Sequence, residues 1–228
     1  MRITDSLNLR AWFGIASLAV AMALVLFLSA WTIDYWQAWV YLAVFFGASI
    51  PITGYLMKNN PALLRRRLRA GPTAETRRAQ KIAMLFASIG FVGLLVVPSL
   101  DRRFGWSNVP LFAVIAGDVL TALCFYITFL TYRENSFTSA TIEIAPGQTV
   151  ISTGPYAIVR HPMYAGGLLV FFGTPLALGS YWGLLAFGAA SPALIWRLVD
   201  EERFLKESLP GYVDYCRQVR WRLIPGIF

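Results

Sequence analysis

Residues 11–31 read AWFGIASLAVAMALVLFLSAW, an apolar run without a single charged side chain. At 1.5 Å per residue a helix of that length spans about 30 Å, the thickness of a bilayer's hydrocarbon core. Its glycine and serine interruptions are of the kind that lipid-buried helices tolerate. The pattern recurs at 36–57, 82–97, 109–132, 163–178 and 181–198. Trp36, Trp39 and Tyr41 gather near the start of the second run, where aromatic rings suit the headgroup level. Only Gly179 and Ser180 separate the last two runs, which makes them a tight hairpin. With 57% hydrophobic and 14% charged residues, the balance excludes an ordinary soluble domain. The expected fold is all-α, a polytopic membrane helix bundle of about six transmembrane helices forming one membrane domain over 1–228. Four spans fall in 1–132. Five crossings is the alternative, because the last two runs are near the minimum spanning length. The first run, with no small-residue cleavage site after it, reads as a retained span rather than a signal peptide.

Six crossings bring both termini to one side, and the cations test this. Eighteen of the twenty Lys and Arg residues fall on the side of the termini, and only Arg102 and Arg103 on the other. The positive-inside rule then places both termini in the cytoplasm, in an inner or plasma membrane. The net charge of +8 follows from that topology and calls for no nucleic-acid partner. The basic run at 64–69 can in addition attract anionic headgroups or a phosphate-bearing ligand. Cys124 lies inside the fourth run and Cys216 in the tail, so the sequence supports neither a disulfide nor a metal site. One histidine, and no Walker, dinucleotide or Ser-His-Asp pattern, turns the reading away from hydrolases and nucleotide triphosphatases.

Polar sequence concentrates in 133–228. Gly154, Pro155 and Tyr156 read as a turn, and Pro162 suits the first turn of a helix that His161 precedes. The free N–H groups of such a helix start can receive a carboxylate, while Tyr156 and Tyr164 offer aromatic surface to a flat ring. An adenosyl-amino acid carries both features. The plain alternative is that His161 caps the helix and Arg160 snorkels to the headgroups. In the second cluster, Leu198, Glu202, Leu205 and Leu209 fall on one helical stripe, so Glu202 points where a carboxylate is costly without a cationic or hydrogen-bonding partner. Arg197 to Glu201 and Glu202 to Lys206 are both spaced for ordinary helical ion pairs. Paired carboxylates at a helix end can instead hold ribose hydroxyls or an ammonium group.

Taken in order, Gly154-Pro155-Tyr156, Arg160-His161-Pro162-Met163-Tyr164-Ala165-Gly166, Glu201-Glu202 and the ending at 212–225 resemble the isoprenylcysteine carboxyl methyltransferase family and the related phospholipid methyltransferases. The resemblance covers about 133–228; the first 130 residues match only as generic spans. It implies methyl transfer from S-adenosylmethionine, bound at the cytoplasmic membrane face, to a lipophilic or amphiphilic acceptor whose nucleophile is a carboxylate, thiol or amine. It implies a cofactor site of Gly154, Pro155, Tyr156, His161, Pro162, Tyr164, Gly166, Glu201 and Glu202, with Arg160 and Arg197 as the catalytic candidates nearest the acceptor and no metal. Membrane lipids and a lipidated or lipophilic small molecule are the implied partners. The segment at 219–225 also resembles the C-terminal part of membrane sterol reductases that bind NADPH, so a reductase is the rival expectation. A non-catalytic lipid-binding protein is a second.

Overall fold

The computed structural model describes residues 2–71, 73–75 and 77–228. Its helices are α1 (Arg2–Ala30), α2 (Trp36–Asn59), α3 (Pro61–Arg67), α4 (Arg78–Phe104), α5 (Leu111–Glu134), α6 (Pro162–Ala177), α7 (Gly183–Ser208) and α8 (Tyr212–Gln218), with a 3-10 turn at Gly154–Ala157. No strand occurs among the described residues. Five helices, α1, α2, α4, α5 and α7, are long and apolar enough to cross a membrane. The all-α, multi-pass architecture is thus the one the apolar runs call for.

The fifth run, at 163–178, forms α6, a shorter apolar helix of 16 residues. That is about 24 Å of rise, below the usual hydrocarbon thickness. Both of its ends are nevertheless tied to opposite ends of the bundle. At its far end the Tyr35 hydroxyl donates to the Leu178 carbonyl at 2.7 Å. Beyond it, the Ser180 hydroxyl donates to Asp101, whose carboxylate also accepts from Ser107 N at 2.7 Å and Ser107 Oγ at 2.6 Å. This buried cluster explains why α4 continues past its apolar run through Asp101, Arg102 and Arg103. The helix then stops at Gly105, whose φ of +67° a side chain would resist.

Small residues set the spacing of the helices. A Cβ on Gly117 of α5 would stand 2.2 Å from the Ala177 nitrogen of α6, and one on Gly90 of α4 would stand 2.5 Å from the Ala190 Cβ of α7. Close approach of this kind is how helices pack in lipid, where apolar surface alone gives no preference for a neighbouring helix. The Tyr41 hydroxyl and Thr174 Oγ1, 2.8 Å apart, link α2 to α6 within the buried interior. These contacts bring the ends of α5 and α7 and the start of α6 to one end of the bundle.

Candidate active site

Pro162 occupies the first helical position of α6 and His161 the cap position before it. The His161 side chain makes no capping bond; its Nε2 instead lies 3.4 Å from Glu202 and 3.4 Å from the Tyr212 hydroxyl. Arg160 is 8% exposed and does not reach out to the headgroups. The backbone of this pair is fixed by the tail: Arg160 N donates to the Trp221 carbonyl at 2.9 Å and His161 N to the Arg222 carbonyl at 3.0 Å. The tail segment therefore runs alongside the Arg160-His161-Pro162 turn and holds it in place.

Glu202 is 3% exposed, as its stripe position demands, and is surrounded by cations. Arg160 Nε and Nη2 each lie 3.1 Å from it, Lys206 Nζ 2.7 Å and Arg222 Nε 3.1 Å. The remaining donor nitrogen of Arg160 serves the carbonyls of Val219 at 3.0 Å and Arg220 at 3.1 Å, just after α8, where a cation complements the helix dipole. Of the two helical pairs that the spacing allows, Glu202 with Lys206 forms. Arg197 turns elsewhere: its Nη2 is 2.6 Å from Glu75, its Nη1 donates to Gln80 Oε1 at 2.9 Å, and its Nη2 also donates to the Ala140 carbonyl at 2.9 Å. Gln80 in turn donates to Asp200, which Arg77 approaches at 3.2 Å. Glu201 accepts a hydrogen bond from the Tyr164 hydroxyl and has no cation within 4.0 Å among the described residues.

These groups surround a cavity of about 620 Å³. Tyr156, Arg160, His161, Pro162, Tyr164, Arg197 and Glu201 line it. Gly154, Pro155, Gly166 and Glu202 are not in its wall. Gly154, at φ +57°, turns the chain beside Glu134, and Gly166 faces Cys124 of α5, where a Cβ would meet the Cys124 carbonyl at 3.4 Å. Tyr156 receives a hydrogen bond from Asn135 Nδ2 at 3.0 Å, and its carbonyl accepts one from the Tyr215 hydroxyl at 2.7 Å. Burial pushes the Tyr156 hydroxyl up to about 12, so near neutral pH it stays protonated. A second part of the wall is apolar: Met84, Ala87, Phe91 and Val92 of α4 face Leu194 of α7. The connection over residues 135–151 forms another part of the wall, its backbone held by Arg67, Arg197 and Glu75.

Three contributors escaped the motif reading. Glu75, Gln80 and Arg67 all come from the α2–α4 half, where the sequence offers no pattern beyond spans and a basic run; only that run marks Arg67. The cavity as a whole is a partly open, mixed polar and apolar chamber of the size that small-molecule sites occupy, about 300–1,000 Å³.

The stretch that resembles known proteins overlaps part of this chamber's wall. Residues 112–210 match the phospholipid methyltransferase family, a stretch running from α5 into the turn after α7. Protein-S-isoprenylcysteine O-methyltransferase B of Arabidopsis thaliana is 28% identical over 146 residues, covering 60% of this chain and 70% of that protein. Protein-S-isoprenylcysteine O-methyltransferase A of the same plant is 25% identical over 146 residues, with the same coverage. The Delta(14)-sterol reductase of Mus musculus is 31% identical over 109 residues, but these make up only 25% of that protein. With the ordered motifs on the page, these matches show that the chain is similar, over 60% of its length, to membrane isoprenylcysteine O-methyltransferases and, over residues 112–210, to the phospholipid methyltransferase family.

Proposed function

We propose that this protein transfers a methyl group from S-adenosylmethionine to a lipophilic or amphiphilic acceptor at the cytoplasmic membrane face. The observation that carries this reading is one cavity with two kinds of wall: polar and aromatic around Tyr156, Tyr164 and Glu201, apolar along α4 and Leu194. A charged, nucleoside-bearing donor and a membrane-derived acceptor need such different surroundings within reach of each other.

The donor set fits the cofactor. Glu201, without a cation of its own, offers a carboxylate to an ammonium or to ribose hydroxyls, and its bond from Tyr164 fixes its direction. Tyr156 and Tyr164 present ring surface to an aromatic base. Bound there, S-adenosylmethionine would supply a methyl group on a sulfonium, displaced in line by the acceptor. The chain's own part is to align and to keep water out. Residues 135–151 line the chamber, and the Glu202 cluster clamps the Arg160-His161 turn that forms one side of it. Arg160 and Arg197 line the chamber with donors committed to internal partners, so in this proposal they hold the wall and lend it positive potential. A carboxylate acceptor reacts as it stands, whereas an amine or thiol must first lose a proton.

Similarity over 109 residues to a sterol reductase supplies the competing reading, hydride transfer from NADPH. Calorimetric titration of the detergent-purified protein with S-adenosylmethionine, S-adenosylhomocysteine and NADPH separates the two. Binding of the first two alone is the expected result. Binding of NADPH alone would replace the proposal with the reductase, and binding of none would leave a non-catalytic lipid-binding role.

A further inference from the structure

Three arginines line the chamber, and their surroundings differ. Arg160 is neutralised by Glu202 and Arg197 by Glu75, at 3.1 Å and 2.6 Å. Arg67, the last residue of α3, has no carboxylate within 4.0 Å among the described residues. It is half-buried, and it is held in place without being neutralised. Its Nη1 donates to the Ser139 carbonyl at 2.7 Å, and its guanidinium sits 5.4 Å from the centre of the buried Tyr132 ring. A carbonyl and an aromatic face orient a guanidinium but leave its charge unbalanced. The Tyr132 hydroxyl also bonds this guanidinium, so its partners are all neutral, and five N–H donors leave capacity for an oxyanion. Glu143, an acid of the chamber's lining, is exposed and takes its hydrogen bond from Ser139 Oγ.

We propose that Arg67 is the specificity residue that reads a negatively charged oxygen group, carboxylate or phosphate, on the acceptor. The inference rests on the methyl-transfer reading for the word acceptor, but the anion site itself does not depend on it. The same cavity continues along the apolar face of α4, past Met84 to Val92, so the ligand that satisfies both parts is an amphiphile with an anionic head and an apolar chain. Arg160 and Arg197, the guanidinium groups first expected to meet such a head, are already neutralised, which leaves the task to a residue outside the 112–210 family match.

The test is binding of laurate, dodecyl phosphate and uncharged lauramide to the full chain in an uncharged detergent, with S-adenosylhomocysteine titrated in parallel. Arg67→Gln is expected to lose about tenfold or more in affinity for the anions while binding lauramide and S-adenosylhomocysteine as before. Arg67→Lys, which keeps the charge and loses the fork, should fall between the two. Arg69→Gln removes the same charge from an exposed position outside the chamber and should change nothing. A loss confined to laurate identifies a carboxylate, and one confined to dodecyl phosphate a phosphate. Equal loss for lauramide, equal loss in the Arg69 variant, or unchanged anion binding in both Arg67 variants would overturn the proposal. Failure of S-adenosylhomocysteine to bind the unaltered chain, with the anion preference intact, would instead remove the methyltransferase reading alone.

Discussion

Glu75, in the connection between α3 and α4, lies 2.6 Å from Arg197 of α7, and both side chains are almost wholly buried. The second oxygen of Glu75 accepts from Ile142 N at 3.3 Å, so one carboxylate joins the α3–α4 connection, the last long helix and the 135–151 wall of the chamber. Gln80, receiving a bond from Arg197 and giving one to Asp200, extends the network.

Removing one member of a buried pair leaves the other charged and unpaired, at a cost of about 3–5 kcal/mol, whereas removing both costs much less. Glu75→Ala should therefore lower the unfolding midpoint in detergent sharply, and adding Arg197→Leu should recover part of the loss. Simple additivity of the two changes in a double-mutant cycle would show that the pair is not a stabilising unit.

Adjacent glutamates should respond differently. Glu202 is enclosed by three cations and lies outside the cavity wall, while Glu201 is in the wall, bonded to the Tyr164 hydroxyl and with no cation within 4.0 Å among the described residues. Glu201→Gln is expected to weaken S-adenosylhomocysteine binding about tenfold with little change in stability, since a charge-assisted contact becomes a neutral one. Glu202→Ala should cost several kcal/mol of stability, on the order of 3 or more, and weaken binding only through the loosened Arg160-His161 turn. Reversed behaviour of the two variants, measured by calorimetry and thermal unfolding, would refute the division of labour.

How much of this could be read from the chain alone follows from the range of each constraint. Bilayer thickness acts within one segment, so α1, α2 and α5 were legible as long apolar runs, and Pro162 marked the start of α6 to the residue. The burial of Glu202 was legible from three leucines on its stripe. Partners supplied by distant segments were not. Nothing around Glu75 signals that it faces Arg197, and the spacing of Arg197 and Glu201 suggests a helical pair that the structure replaces with Glu75 and Tyr164. Extension of α4 through Arg103 likewise depends on Ser107 and Ser180 reaching Asp101.

Helix contact through glycine gives a purely steric prediction. A methyl group on Gly117 would collide with the backbone of α6, 2.2 Å from Ala177 N, and backbone cannot swing aside as a side chain can. Gly117→Ala should thus destabilise the bundle by about 1–3 kcal/mol or more. Gly54→Ala, on α2 with nothing within 4 Å of the added carbon, should be neutral or slightly stabilising. Equal thermal midpoints for the two variants would mean that α5 and α6 do not pack this closely in the membrane.

The orientation in the bilayer yields the last prediction. The α6–α7 turn sits with the α1–α2 and α4–α5 turns, because Leu178 accepts from Tyr35, and Ser180 and Tyr181 N donate to Asp101 and Ser107. If α6 crosses despite its 16 residues, the chain has six crossings and both termini share a side. Eighteen of the twenty cations then fall on that side, which the positive-inside rule makes cytoplasmic. After replacement of Cys124 and Cys216, single cysteines at Asn108 and Tyr181 should react with an impermeant maleimide only from outside, and one at Glu207 only from within. Labelling of the Tyr181 position only from within and of Glu207 only from outside, with Asn108 still external, would reduce α6 to a re-entrant helix. The bundle would then have an odd number of crossings, and its termini would lie on opposite faces.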